Sequence, residues 1–306
     1  RVWRIGLDGG FGCPHRLGGR GPGGCVYCAP DGARSPYLGG ISAALVAESL
    51  DLQVGRGLAF LERRYKATMF FLYFQAFSST FAPLEVLRER YDAAISSLER
   101  RRPSSLRGLV VSTRPDCVSA EVAELLESYA RRGLEVWVEL GLQSAVDATL
   151  ERINRGHRVE DFARARALLS RPGIRTAAHL IIGLPGEGRD EVLAGPRLLA
   201  ELGVEGVKFH DLFVPRGSAL AGEYLSGELA LLSPERYLGY LADSIELLPP
   251  ETEVIRLCSD AQAGERLAPR SRDDKFLIYR GLEAELLRRG SRQGASAPSH
   301  SAKKTD

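Results

Sequence analysis

The chain holds only five cysteines, one methionine, five histidines and five lysines in 306 residues, and its formal net charge is +2. Few cysteines, lopsidedly spaced, exclude the disulfide framework of a small secreted scaffold. No uninterrupted apolar run approaches the roughly 18 residues of a membrane span, and the first 30 residues lack a charged-then-apolar leader. A cytoplasmic enzyme without a membrane partner is the expectation. Near-neutral charge gives no global pull toward nucleic acid, so any basic patch must be local. The 36 arginines admit two readings, codon bias of a GC-rich genome or phosphate binding. Position 1 is Arg and the sole methionine is Met69, so missing leading residues are expected.

What is present is ordinary globular composition, 44% hydrophobic and 26% charged, arranged as a repeat of short apolar strands and longer amphipathic stretches. Six such units are readable, with strands predicted at 2–7, 69–75, 108–112, 135–140, 177–182 and 206–213. Helices are predicted at 51–66, 84–101, 120–132, 159–170 and 190–202. The second of these begins after Pro83, where a missing amide donor costs nothing, and stops before Pro103. The predicted class is α/β, a partial (β/α)6 TIM-like barrel over 1–225. Residues 226–290 read as a C-terminal helical extension, with helices at 234–248 and 273–289 and a short strand at 253–257. The tail 291–306 is rich in Ser, Ala, Gly and Lys and is predicted disordered.

Directly after the first strand come Cys13, a glycine-rich loop to Gly24, and Cys25-Val-Tyr-Cys28. Thiolates are natural iron–sulfur ligands, and three of them on four irons leave one iron open for chemistry. The competing reading is a zinc knuckle of the same three cysteines with His15, and a further one is three unrelated thiols. Position at the C-terminal end of a barrel strand favours the catalytic reading, since active sites of such barrels occupy those loops.

Further motifs fall at strand ends: Phe74-Gln-Ala-Phe-Ser-Ser-Thr80, Ser112-Thr-Arg-Pro-Asp116, Glu139-Leu-Gly-Leu-Gln143-Ser, Asn154-Arg155-Gly-His157 and His179-Leu-Ile-Ile-Gly183-Leu-Pro185-Gly-Glu. With these the sequence resembles the radical S-adenosylmethionine (SAM) superfamily, most closely the YhcC-type group, which is itself similar to the radical half of the Elongator catalytic subunit. Eleven residues separate Cys13 from Cys25, where the common superfamily spacing is shorter. The resemblance implies a [4Fe-4S] cluster on Cys13, Cys25 and Cys28, and SAM contacts from the motif positions. Tyr27 and Gly183 stand at adenine positions, and Gln75, Ser78 and Thr80 at the methionine-amine position, which lacks the usual Gly-Gly-Glu. Ser112, Glu139, Gln143, Arg155 and His179 complete the implied cofactor set, with Gln143 and Arg155 toward ribose and carboxylate. Arg155 alone would read as a surface cation, His179 as a core histidine, and Gly-Leu-Pro-Gly-Glu as a bare turn.

Candidates for chemistry on a substrate are Cys117, at a strand end, and Lys208 and His210, which share a face of the sixth strand. An inert buried thiol and partnered buried polar groups are the alternatives. Cys258 lies in Arg256-Leu-Cys-Ser-Asp260, which resembles a late family segment. The implied function is reductive cleavage of SAM to a 5′-deoxyadenosyl radical, fed by an electron donor such as flavodoxin or ferredoxin. Transfer RNA, at the wobble uridine, is the implied partner, with clusters at Arg100 to Arg102, Arg131 to Arg132 and Arg266 to Arg292 as phosphate contacts. The other classes left open are a radical SAM enzyme on a small metabolite or cofactor precursor, and a zinc-stabilised RNA-binding module.

Overall fold

The computed structural model describes residues 1–19, 23–28, 49–259, 264–269 and 275–297. Seven parallel strands form one curled sheet in which each strand neighbours the next in sequence, the topology of right-handed β–α–β crossovers. In order they are β1 (Trp3–Leu7), β2 (Phe70–Phe74), β3 (Leu106–Thr113), β4 (Glu135–Gln143), β5 (Ile174–Ile182), β6 (Gly206–Asp211) and β8 (Glu253–Arg256). The expected six-stranded barrel thus gains a seventh strand from the C-terminal extension. A second antiparallel ribbon joins β7 (Val214–Pro215) to β9 (Arg266–Ala268). The strand predicted at 206–213 ends at Asp211, because the chain leaves the sheet at Leu212 and enters this ribbon at Val214.

Helices α1 (Leu50–Tyr65), α2 (Leu84–Arg101), α3 (Ala120–Arg131), α5 (Val159–Leu168) and α6 (Arg189–Glu201) lie where periodicity placed them. Ser49 and Ser119 cap α1 and α3 by accepting the amides of Leu52 and Val122, and α2 starts at Pro83 as the fixed φ of proline allows. The short α4 (Asp147–Arg152) and α7 (Ala219–Ser226) went unpredicted. After them come α8 (Pro234–Leu247) and α9 (Lys275–Arg289). Among the described residues no helix is long and apolar enough to cross a membrane.

Alternation along each strand sends one side chain to the helices and the next to the barrel interior. Ile5, Leu72, Phe74, Val138 and Val207 join the helix-facing core. On the inner side Tyr73, Val110, Trp137 and Ala177 form a separate apolar cluster, with Phe71 and Ile255 against it. That plug leaves the C-terminal half of the interior to polar groups. Residues 291–297, predicted disordered, are instead docked. Gln293 Nε2 donates to the carbonyls of Pro249 and Thr252 (2.8 Å each), and the Ser296 amide donates to Glu246 O at 2.8 Å. Asp260, Asp273, residues 20–22 of the glycine loop and residues 298–306 of the tail lie outside the described residues.

Candidate active site

The cysteine loop is fastened from several sides. Gln53 on α1 donates to and accepts from the Asp8 backbone at 2.9 and 2.8 Å, which fixes the exit of β1. The Ser78 amide donates to Gly12 O at 3.0 Å, tying the segment after β2 to the residue before Cys13. Cys25 to Cys28 form a turn (Cys28 N to Cys25 O, 3.0 Å). It is clamped between α4 and α7: Val26 N donates to Ile153 O at 3.1 Å, and Leu220 N to Val26 O at 3.2 Å. The unpredicted short helices are thus what hold the Cys-x-x-Cys turn.

Arg155 is buried at the centre of this arrangement. Its guanidinium donates to Cys25 Sγ (3.5 Å), Gly141 O (2.7 Å) and His157 Nε2 (3.0 Å). Since His157 Nε2 accepts there, its Nδ1 carries the proton and donates to Arg158 O at 3.1 Å. Burial, then the Arg155 charge, pushes His157 down to about 4 and keeps it in that neutral tautomer. Gly141 is required: a Cβ there would sit 2.5 Å from Arg155 Nη2. Gly156, at φ 71°, is required twice over, for a side chain would overlap the His15 ring at 1.7 Å. His15 therefore stacks on a backbone.

The five cysteines are free thiols. A hydrogen bond from Cys28, aided by Arg155, holds the Cys25 thiol well below its ordinary value, while Cys28 is held well above. Among the described residues no three His, Cys, Asp or Glu side chains converge on one metal position. The donor chemistry fits an iron–sulfur cluster. Three thiols face two buried guanidiniums that can offset thiolate charge. Arg155 touches Cys25; Arg114, paired to Asp116 at 2.8 and 2.9 Å, feels the Cys13 charge and keeps its Nη1 buried without a partner among the described residues.

Beside the thiols, at the C-terminal ends of β4 to β6, opens a cavity of about 210 Å³. Tyr27, Cys28, Gln143, His179 and His210 line it, five of the positions picked out from sequence, together with Phe213 and Ser259. Gln143 takes φ 74° at a bulge of β4 against β5, an uncommon conformation that turns its side chain to the cavity. Its neighbour Ser144 donates to the Glu187 carboxylate, which burial raises to about 7, so the Glu-Leu-Gly-Leu-Gln-Ser and Gly-Leu-Pro-Gly-Glu segments meet. Arg266 lies over the Phe213 ring at 5.0 Å and pairs with Asp211 at 3.4 Å, building the wall that sequence reasoning missed.

Other expected residues lie elsewhere. Thr80 is spent on Thr113 and the Cys117 carbonyl (2.7 Å each), and with Cys117 it lines a separate cavity of about 650 Å³ between α2 and α3. Burial pushes the Cys117 thiol up to about 12. Ser78 Oγ is buried nearby. Ser112 accepts the Ser79 amide through its carbonyl, and Gln75 ends β2 with its amide on Leu7 O. Gly183 is covered by Leu212 and Leu232 and stands outside the cavity lining. Cys258 is buried in the helix-facing core.

Below the cavity lies a charged layer. Glu139, fully buried, accepts from Arg4 (2.6 Å), Tyr73 (2.6 Å), His179 (3.0 Å) and Lys208 (2.5 Å). Burial alone would raise this carboxyl, but Lys208, His179 and Arg4 outweigh it and hold it well below the usual range. Burial pushes Lys208 down to about 7, against the pull of Glu139, and His179 down to about 4. A buried histidine of this kind stays neutral when folded, whereas the unfolded chain takes up a proton below about 6.5. Stability is therefore expected to fall as pH drops from about 6.5 through 4, and His179→Asn is expected to flatten that slope in urea titrations across the range.

The arginine clusters are largely paired. Arg100 and Arg101 reach Asp51, Arg102 reaches Glu62, Arg131 reaches Glu127, Arg132 reaches Asp92, and Arg288 and Arg289 reach Glu285.

A half-open parallel barrel with thiols in its first loop and a buried arginine against them defines a class of cofactor-dependent enzyme fold. Residues 10–194 match the model of the radical SAM superfamily and residues 204–288 that of the Radical_SAM C-terminal domain; the chain belongs to this superfamily. It is 39% identical to Protein YhcC of Escherichia coli over 88% of this chain and 82% of that one. It is also similar to the tRNA uridine(34) acetyltransferase of Dehalococcoides mccartyi, at 29% identity over 79% of this chain and 57% of the relative. Among solved structures, Elp3 of Methanocaldococcus infernus superposes with TM-score 0.72 at 18% identity, over 95% of this chain and 64% of that chain.

Proposed function

We propose that the protein cleaves SAM reductively at a [4Fe-4S] cluster held by Cys13, Cys25 and Cys28, and acts on a uridine of transfer RNA. The observation that carries this is the Arg155 fork, which joins the Cys25 thiol to the Gly141 backbone and so couples the cysteine loop to the strand bearing Gln143. When bound, the cluster supplies one electron to the SAM sulfonium and thereby a 5′-deoxyadenosyl radical. The protein's own part is to hold the thiols against Arg155, to present Tyr27 and Gln143 to the nucleoside, and to keep His157 neutral. Transfer RNA is supported by the name of the Dehalococcoides relative. A small metabolite is the second reading, favoured by the acidic partners that Arg100, Arg102 and Arg132 find among the described residues.

Anaerobic reconstitution with iron and sulfide, followed by SAM and dithionite, should yield 5′-deoxyadenosine; its absence from a cluster-loaded sample overturns the radical chemistry. Transfer RNA from cells lacking the gene should change in one modified uridine. An unchanged nucleoside profile favours the metabolite.

A further inference from the structure

The charged layer below the cavity holds more positive than negative charge. Pairing of β6 with β8 slips between Val207, opposite Val254, and Lys208, opposite Arg256. The extra residue of this bulge, Ile255, packs on the interior cluster with Trp137 and Ala177. Arg256 then faces the interior as Lys208 does, since a bulge re-aims the side chains that follow it. Its charge is felt by Tyr73, His179, Lys208 and His210.

Arg4, Lys208 and Arg256 lie about Glu139, whose two oxygens already take four donors; Glu253 also acts on Arg4, and of the two carboxylates in the cavity lining, Asp211 and Glu265, the first is paired with Arg266. No ion pair or hydrogen bond engages the Arg256 side chain among the described residues. Independently, His210 Nε2 is buried without a partner among the described residues, and its ring lies 5.3 Å from that of His179. Both histidines belong to the cavity lining as well as to this layer. An unpaired buried polar atom is costly unless a ligand completes it, and the half-buried Arg256 lacks a counter-ion among the described residues.

We propose that this layer docks a carboxylate carried by the substrate, with Arg256 as its main partner and His210 as a second donor. A carboxylate presents two oxygens to the guanidinium fork, and being terminal it can reach the end of a cavity of about 210 Å³. A phosphodiester, flanked by sugars on both sides, cannot. The inference rests on the radical SAM reading, which places the thiols at the same cavity: a ligand anchored below by its carboxylate extends toward Cys28.

The test uses the full chain, with succinate and its uncharged diamide as probes in calorimetric titrations. Succinate should bind and the diamide should not; Arg256→Gln should weaken succinate by about tenfold or more, and His210→Asn by less. Should Arg256→Gln not fold, Arg256→Lys retains the charge but not the fork and should still weaken binding. Equal binding of acid and diamide, or variants that bind succinate as the wild type does, overturns the proposal. So does a matching loss of SAM affinity in Arg256→Gln, because the anion served is then the cofactor's own. Failure of succinate to bind a preparation that still forms 5′-deoxyadenosine strikes this inference alone; loss of both strikes the radical reading as well.

Discussion

Replacing Glu139 by Gln is expected to cost about 3–5 kcal/mol of folding stability, the effect of stripping one partner from a buried charge pair. Glu139 is fully buried and is the carboxylate against which Arg4 and Lys208 are held. Without it, two cations face each other across a dry interior. Lys208, already pushed down to about 7, has a way out: it can release its proton. The penalty for that release shrinks as pH rises toward the ordinary lysine range near 10.4, so the loss at pH 9 should be smaller than at pH 6. Denaturant titrations at the two pH values give the comparison. Adding Lys208→Met should recover part of the loss, since removing both partners leaves less charge stranded than removing one. Equal losses at both pH values would mean that packing around residue 139, not its charge, sets the cost.

Removing any one of Cys13, Cys25 or Cys28 as Ala is expected to take bound iron and 5′-deoxyadenosine formation to background. Arg155→Gln should retain all three thiols yet lower iron affinity by about 10–100-fold, the usual cost of losing a group that supports a metal ligand. Iron content after anaerobic gel filtration separates the two grades of effect. Circular dichroism of the same samples guards against loss of fold, a real concern at Arg155, whose removal also strands the Gly141 carbonyl. A cysteine variant with full iron and full product would end the cluster proposal.

Much of this architecture was legible because proline and glycine mark its junctions. Pro83 and Pro103 bracket α2 closely, and nearly all-apolar runs such as Ala177–Ile182 announce strands covered on the helix side. The cysteine loop was legible from spacing, and Tyr27, Gln143, His179 and His210 do meet at one cavity. Long-range pairing was not legible. Arg4 and Tyr73 read as unremarkable polar residues in five-residue strands, because their partner lies 135 and 66 positions away. Strand β8 is four residues long, and its bulge cannot be read from periodicity. The surroundings of Thr80 and Gly183 were equally illegible: the hydroxyl meets Thr113 and the Cys117 carbonyl, 33 and 37 positions away, and Leu212 and Leu232 lie over the glycine. The pairing of the arginine runs was not legible either, because acidic partners such as Asp51 and Asp92 lie 40 to 50 positions away.

Among the described residues the sheet ends at β1 on one side and β8 on the other, and these two margins do not pair with each other. Its interior is consequently a trough and not a well. Admission to a trough depends on how far a group projects and scarcely on the bulk behind it, so a small molecule and one protruding arm of a much larger one meet the same Phe213 and His210. What such a trough selects for is a group that stands clear of the backbone carrying it.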